Sequence, residues 1–429
     1  MKTPIYDFLE NYSRLDTLRL HMPGHKGKAP APLKAFECDI TEISGADSLF
    51  EASGIIEESE KNTSRLYHTV RTCYSTGGST LCIQTMLALM KQENRTVIAV
   101  RNVHRSFLAA CALLDIQPLW LFPDYSGGIL SGVFPYDKAE EMLKQHKNAC
   151  IYLTSPDYLG KTADIGGISK LCHRYNAVLL VDNAHGAHTI AMGTHPSQLG
   201  ADICCDSAHK MLPALTGGAY LHIMNPAYAD RAKAAMSLFG STSPSYLIMA
   251  SLDLCARYIA ESLEDDVRRA VCALDALRKT ISGRYDVYSG EPFHLTLLCD
   301  GKDLADQLRG FGIECEYVDS GCIVLLFSPM NTPEEIERTA EILMKCAPKQ
   351  PVYSGKISFP QPETALSVRE AVLSDYEEIP VEESEGRICA GVNVPCPPAV
   401  PVAASGEVID KNCIKIFKRY GILTVNVVK

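Results

Sequence analysis

From about residue 75 to about residue 225 the sequence alternates short, continuous apolar runs with stretches of helical period. The runs predict strands at Thr96–Val100, Leu119–Phe122, Cys150–Thr154, Ala177–Val181, Asp202–Cys205 and Gly218–Ile223. Between them lie helical patterns such as Ile83, Met86, Leu87 and Met90, spaced to share one face. Strands that are apolar along their whole length are covered on both faces, which implies an α/β fold around a mostly parallel sheet. In such sheets ligands sit beyond the carboxyl ends of the strands. The residues there are the ones placed to do chemistry.

The rest of the chain extends this plan. Residues 245–282 read as one or two helices after Pro244, and a smaller α/β unit follows. That unit contains an apolar run at His294–Leu298, a helix at Lys302–Gly310 and a strand at Cys322–Phe327. A helix then opens on Thr332, Pro333 and Glu335, a cap, an N1 proline and a capping-box acid. The expected division is an N-terminal segment (1–50), a large domain with connecting helices (51–282) and a small C-terminal domain (283–429). Pro395–Pro401 is proline-rich and is expected to be extended.

Composition excludes several classes. A net charge of −10 with no long basic run argues against nucleic acid or an anionic membrane as partner. The apolar runs are far too short to span a bilayer. Acidic residues in MKTPIYDFLENYSRLD occupy the place of a signal peptide's apolar core. The seventeen cysteines are scattered without a CxxC pair, which reads as buried thiols in a reducing cytosol. A cytoplasmic location is therefore expected.

Four pieces fall at strand ends. Thr76-Gly77-Gly78-Ser79-Thr80 is a glycine turn entering a helix, where free N–H groups and two hydroxyls can cradle a phosphate or simply form a cap. Asp182 follows an apolar strand, and an acid there needs a cation. A pyridinium nitrogen, a metal shared with His185 and His188, and a helix cap are equal readings of it. Ser207-Ala208-His209-Lys210 places a lysine after the next strand, in a semi-dry position that suits a Schiff base. His104, in RNVHRS, can stack on a planar ring or cap a helix. No GxSxG, HExxH, P-loop or early GxGxxG motif competes with these pieces.

Together the pieces resemble the ornithine/lysine/arginine decarboxylase family, whose fold is the aspartate-aminotransferase-like PLP fold type I. LRLHMPGHKGK, DITEISGADSLFEASGII, LTSPDYLG, DNAHGAH, SAHKMLPALTGGAYLH, STSPSYLIMASLD and SVREAVLSDYEEIPVEESEGRICAGVNVPCPPAVPVAASGE carry the resemblance across nearly the whole chain. It implies pyridoxal 5′-phosphate (PLP) held by Lys210, with Asp182 at the pyridine nitrogen, His104 on one ring face and Ala184 on the other. Ser79, Thr80, Ser207 and His209 would surround the phosphate, and Thr242 would reach the phosphate of a neighbouring subunit. His185 would sit near the ring edge, able to act on substrate or move a proton.

The implied reaction is decarboxylation of arginine, lysine or ornithine in polyamine metabolism, without a metal. Another fold type I reaction, transamination or aldol cleavage, is the rival chemistry, and an idle regulatory homologue is the rival class. The chain lacks room for the extra N-terminal domain of the long, acid-inducible members, so a homodimer or dimer of dimers with shared sites is expected. Two residues depart from the family's pattern. Asn183 stands where many members have glutamate, and Asp157 where a small or neutral polar residue is common.

Overall fold

The computed structural model describes residues 1–28, 34–125, 130–352, 359–391 and 400–429. They form two compact units, Met1–Gln92 with Leu179–Val267, and Glu93–Val178 with Arg268–Lys429. This partition interleaves the chain, whereas the division expected from sequence is consecutive. Residues 395–399 of the proline-rich stretch lie outside the described residues.

The strands that position the site are β1 (Arg71–Ser75), β2 (Thr96–Val100), β3 (Leu119–Leu121), β4 (Ala149–Thr154), β5 (Val178–Asp182), β6 (Ile203–Asp206) and β7 (Ala219–Ile223). The six predicted strands are all present, each within one residue of its expected bounds. β1 was not foreseen, because its RTCYS sequence is short and mixed in polarity.

In the first unit β6 runs parallel to β5, pairing Leu180 with Ile203 and Asp182 with Cys205. β7 lies antiparallel to β6 and to β1, with Asp206 opposite Tyr220 and Ser75 opposite Ala219. All residues of β5, β6 and β7 are buried, as expected of mostly apolar strands covered on both faces. The helix Gly78–Gln92 buries nine residues, from Leu81 to Met90. It opens on Gly78 at φ +67°, a left-handed conformation that favours glycine.

In the second unit β2 lies between β3 and β4, parallel to both, with Ile98 opposite Leu119 and Ile151. A separate antiparallel sheet pairs His294–Leu298 with Ile323–Leu326. Tyr376–Pro380 pairs with Thr424–Val428. The capping box of Thr332 and Glu335 is present as read from sequence. Arg369 donates to the carbonyls of Ala112 and Leu113 at 3.2 and 3.1 Å, which satisfies the end of the helix Arg105–Leu114. Every described cysteine is a free thiol, and most are buried. Among the described residues no helix is long and apolar enough to cross a membrane.

Candidate active site

The first unit gathers most of the expected site at the ends of β5 and β6. Asp182 is the last residue of β5 and is 2% exposed. Its Oδ1 accepts from the Ala184 N–H at 3.2 Å, and the Cys205 thiol points to the same oxygen at 3.7 Å. β6 ends one residue before Ser207, which precedes the single helical turn Ala208–Met211 carrying Lys210. That turn puts Lys210 Nζ 2.9 Å from Nε2 of His185, itself buried in the loop after β5. A lysine confined this way is not the solvated lysine that random placement would give.

Two of the four residues expected around a phosphate, Ser79 and Ser207, lie together. Ser207 Oγ donates to Ser79 Oγ at 2.9 Å, joining two hydroxyls at the N-terminal turn of the helix Gly78–Gln92. The Gly78 N–H donates to Gly217 O at 2.8 Å, and Ser75 Oγ donates to Gly78 O at 2.9 Å, so the turn is braced from below. A Cβ placed on Gly78 would meet nothing within 4 Å, which leaves open space before the turn. His209 bonds the Gly218 carbonyl through Nδ1 at 2.9 Å, which fixes its ring. Thr80 and Thr242 are exposed, and Ala184 is buried at 8%.

His104 belongs to the second unit, where Nδ1 accepts from the Ser106 N–H at 3.2 Å and caps the helix Arg105–Leu114. The capping reading is thus realised. Asp157 is 6% exposed in that unit, and its Oδ1 accepts from the N–H groups of Leu159 and Lys161 at 3.0 and 2.9 Å. Burial pushes its carboxyl up to about 6, against the opposing Ser131 hydroxyl and these N–H groups. A cavity lined by Asn102, Thr154, Asp157 and Lys161 also lies in this unit. The buried Asn102 Oδ1 and Thr154 Oγ1 have no partner among the described residues.

Sequence reasoning missed a cluster beside the site. His195 and His222 both bond Asp206, the last residue of β6, and Asn183 joins them. This is the described His/Asp group with ligand atoms within 4.8 Å of one another, and neither His185 nor His188 belongs to it. Its members are scattered along the chain without motif spacing. The one signal was the odd aspartate directly before SAHK.

The family model for Orn/Lys/Arg decarboxylase, major domain, matches residues 3–298, and that for the C-terminal domain of the same family matches residues 354–421. The chain belongs to the Orn/Lys/Arg decarboxylase family. It is a PLP-dependent decarboxylase of PLP fold type I, and its cofactor is pyridoxal phosphate. An arginine decarboxylase of Bacillus subtilis (strain 168) is 29% identical, over 97% of this chain and 93% of that protein. An arginine decarboxylase of Halalkalibacterium halodurans is 28% identical, over 96% of this chain and 92% of that one. The Francisella novicida lysine decarboxylase LdcF superposes with a TM-score of 0.80 at 17% identity, covering 100% of this chain and 81% of that one, a likeness of fold.

The residues of this decarboxylase fit its cofactor. Buried Asp182 supplies a carboxylate at a strand end, paired Ser79 and Ser207 hydroxyls face the open side of a helix N-terminus, and Lys210 supplies the amine.

Proposed function

We propose that the chain decarboxylates a basic amino acid, with arginine first, then lysine and ornithine, giving the amine and CO₂. The observation that carries this reading is the Lys210 Nζ to His185 Nε2 contact at 2.9 Å, beside the buried carboxylate of Asp182. The names of the relatives rank arginine first.

In this reading Lys210 would hold PLP covalently, and Asp182 would pair with the pyridine nitrogen. Ser79, Thr80, Ser207 and His209 would hold the phosphate, and His104 and Ala184 would be the residues to pack on the ring. Bound PLP supplies a sink for the electron pair left behind when CO₂ departs. The chain's own residues do the rest. Once the substrate amine has taken the place of Lys210 on the cofactor, the freed Nζ and His185 Nε2 would hold a proton between them and return it to the α carbon after its bond to the carboxylate breaks. One proton is consumed for each CO₂ released. Asp157 is the candidate acceptor for the distal ammonium or guanidinium, as a buried carboxyl in a loop after a core strand.

We further propose a cytoplasmic homodimer or dimer of dimers with sites shared between subunits, and the three-part division at residues 50 and 282. A substrate panel with amine and CO₂ both measured tests the reaction. Turnover of arginine, lysine or ornithine is expected. Preferential decarboxylation of glutamate or an aromatic amino acid overturns the substrate class, and a keto acid without CO₂ overturns the reaction.

A further inference from the structure

Asp206 ends β6, directly before Ser207, and has no exposure to solvent. A bare carboxylate there would be costly. Instead His195 Nε2 lies 3.2 and 3.0 Å from Oδ1 and Oδ2, His222 Nε2 lies 3.2 Å from Oδ2, and Asn183 Nδ2 donates to Oδ1 at 2.6 Å. Burial pushes the Asp206 carboxyl up, but the two imidazoles outweigh it and hold it well below the usual range. The ring of Tyr67 covers both imidazoles, its centroid 4.1 Å from that of His222 and 4.9 Å from that of His195.

These three side chains could also be read as metal ligands. The tautomer of His195 opposes that reading. Its Nδ1 accepts from the Ser197 N–H at 3.2 Å, so the ring proton is on Nε2 and is donated to Asp206. No lone pair is left on Nε2 for a cation. His222 Nδ1 pairs with the Thr72 hydroxyl at 2.9 Å, and that hydroxyl can donate to it. The cluster is therefore an ionised aspartate held by hydrogen-bond donors.

The third donor ties this aspartate to the other strand. Asn183 directly follows Asp182, and its backbone N–H donates to Cys205 O at 2.9 Å. A Cβ on Gly186 would lie 2.0 Å from Asn183 Oδ1, so glycine leaves the room this amide occupies. We propose that Asn183 and Asp206 are paired positioning residues, whose bond sets the ends of β5 and β6, and so Asp182 and Lys210, in register for the cofactor. The site then requires a neutral donor at 183. An acid there would face the buried Asp206 carboxylate. The proposal rests on the assignment of Asp182 and Lys210 to PLP made above.

The test is a double-mutant cycle on the full chain, read by PLP affinity and visible absorption well below the unfolding temperature. Asn183→Asp keeps shape and replaces the donor with an acceptor, and at least about tenfold weaker PLP binding with an altered absorption band is expected. Adding Asp206→Asn exchanges donor and acceptor, and most of the lost affinity should return. As a control, Asp253→Ala removes the carboxylate that accepts from Ile5 and Tyr6 N–H groups, lowering stability without touching the strand ends. It should keep normal PLP absorption.

Wild-type PLP binding by Asn183→Asp overturns the proposal, as does a double variant no better than the single one. PLP loss in Asp253→Ala equal to that in Asn183→Asp assigns the effect to general stability and also overturns it. Stoichiometric metal in the purified protein that is lost in His222→Ala overturns it in favour of a metal site. If the unmodified protein itself shows no PLP absorption, the cofactor assignment fails instead. The same cycle read by thermal unfolding then decides the Asn183–Asp206 pairing without cofactor.

Discussion

The guanidinium of Arg101 meets the carboxylate of Glu407 in two bonds of 2.8 and 2.6 Å, across 306 positions of sequence, with both side chains buried. Arg101 follows β2 directly, and its guanidinium lies over the Trp120 ring at 4.3 Å. Glu407 also accepts from the Ala404 N–H at 2.7 Å. The pair thus joins the region matched by the C-terminal family domain to the end of a strand. Removing one partner leaves a buried, unpaired charge, so Arg101→Ala should cost about 3–5 kcal/mol in urea unfolding. Arg101→Lys should recover little, because an ammonium cannot make the two-pronged contact or stack as flatly. Arg101→Met with Glu407→Leu should be more stable than Arg101→Ala. A loss below about 1 kcal/mol for Arg101→Ala would place the pair with weak surface bridges.

Lys210 and His185 should separate cofactor attachment from proton transfer. Lys210→Ala is expected to abolish turnover and the visible absorption of the holoenzyme, and borohydride should no longer fix PLP to the chain. A link that survives would put the amine elsewhere. His185→Gln should keep the cofactor and lose about 10²–10⁴-fold in turnover, the usual worth of a positioned acid–base group. Unchanged turnover would confine His185 to packing.

Asp182→Asn should bind PLP and lose most activity. A neutral amide no longer favours a protonated ring nitrogen, so the electron sink is weakened. Turnover near the wild-type rate would remove Asp182 from that role.

How much of this was legible follows from which interactions are local. β2 and β4 to β7 are mostly apolar along their length, so their sequence announces both strand and burial. The Ser79–Ser207 and Lys210–His185 contacts follow once strand ends are known to converge in such sheets. Asp206, His195 and His222 were invisible because each sits on a different element. Only the register that places Asp206 beside the β7 strand brings them together. Arg101 carries no local signal for the same reason, its partner lying 306 positions away. Asp157 stood out only as a departure from the family's pattern, and its two backbone donors show that shaping its loop is at least part of its work.

Thr242 tests the shared site. It is exposed in the loop before Ser245, which caps the helix Tyr246–Glu261 through the Ile248 N–H at 3.4 Å. Capping is thus done by Ser245, and the Thr242 hydroxyl is left for another task. If subunits share sites, Thr242→Ala alone should be strongly impaired, and mixing it with Lys210→Ala chains should restore part of the activity. One site of the mixed dimer then has an intact Lys210 and an intact Thr242 from its partner. No recovery, with mixed dimers confirmed, would place Thr242 outside a shared site.

Asp157 gives a prediction in pH. Its carboxyl is pushed up from 3.8 to about 6 in the folded chain, burial being the main cause. The folded state therefore holds this proton more tightly than the unfolded chain does. Its contribution is most favourable below the unfolded value and is lost as pH rises through about 6. Asp157→Asn keeps an acceptor for the Leu159 and Lys161 N–H groups and removes the charge. The variant should match the wild type near pH 4 and exceed it by roughly 1–3 kcal/mol near pH 8. A variant less stable than the wild type near pH 8 would mean that the carboxylate is compensated in the folded chain. Kinetics supply a second, independent reading of the same residue. If Asp157 receives the distal cation, the asparagine variant should raise KM for basic substrates far more than it lowers kcat, because the contact is made equally before and during the reaction. An unchanged KM together with the stability gain would leave Asp157 as a loop-forming acid whose charge is a cost, and would move the distal-cation contact to another acceptor of the cavity.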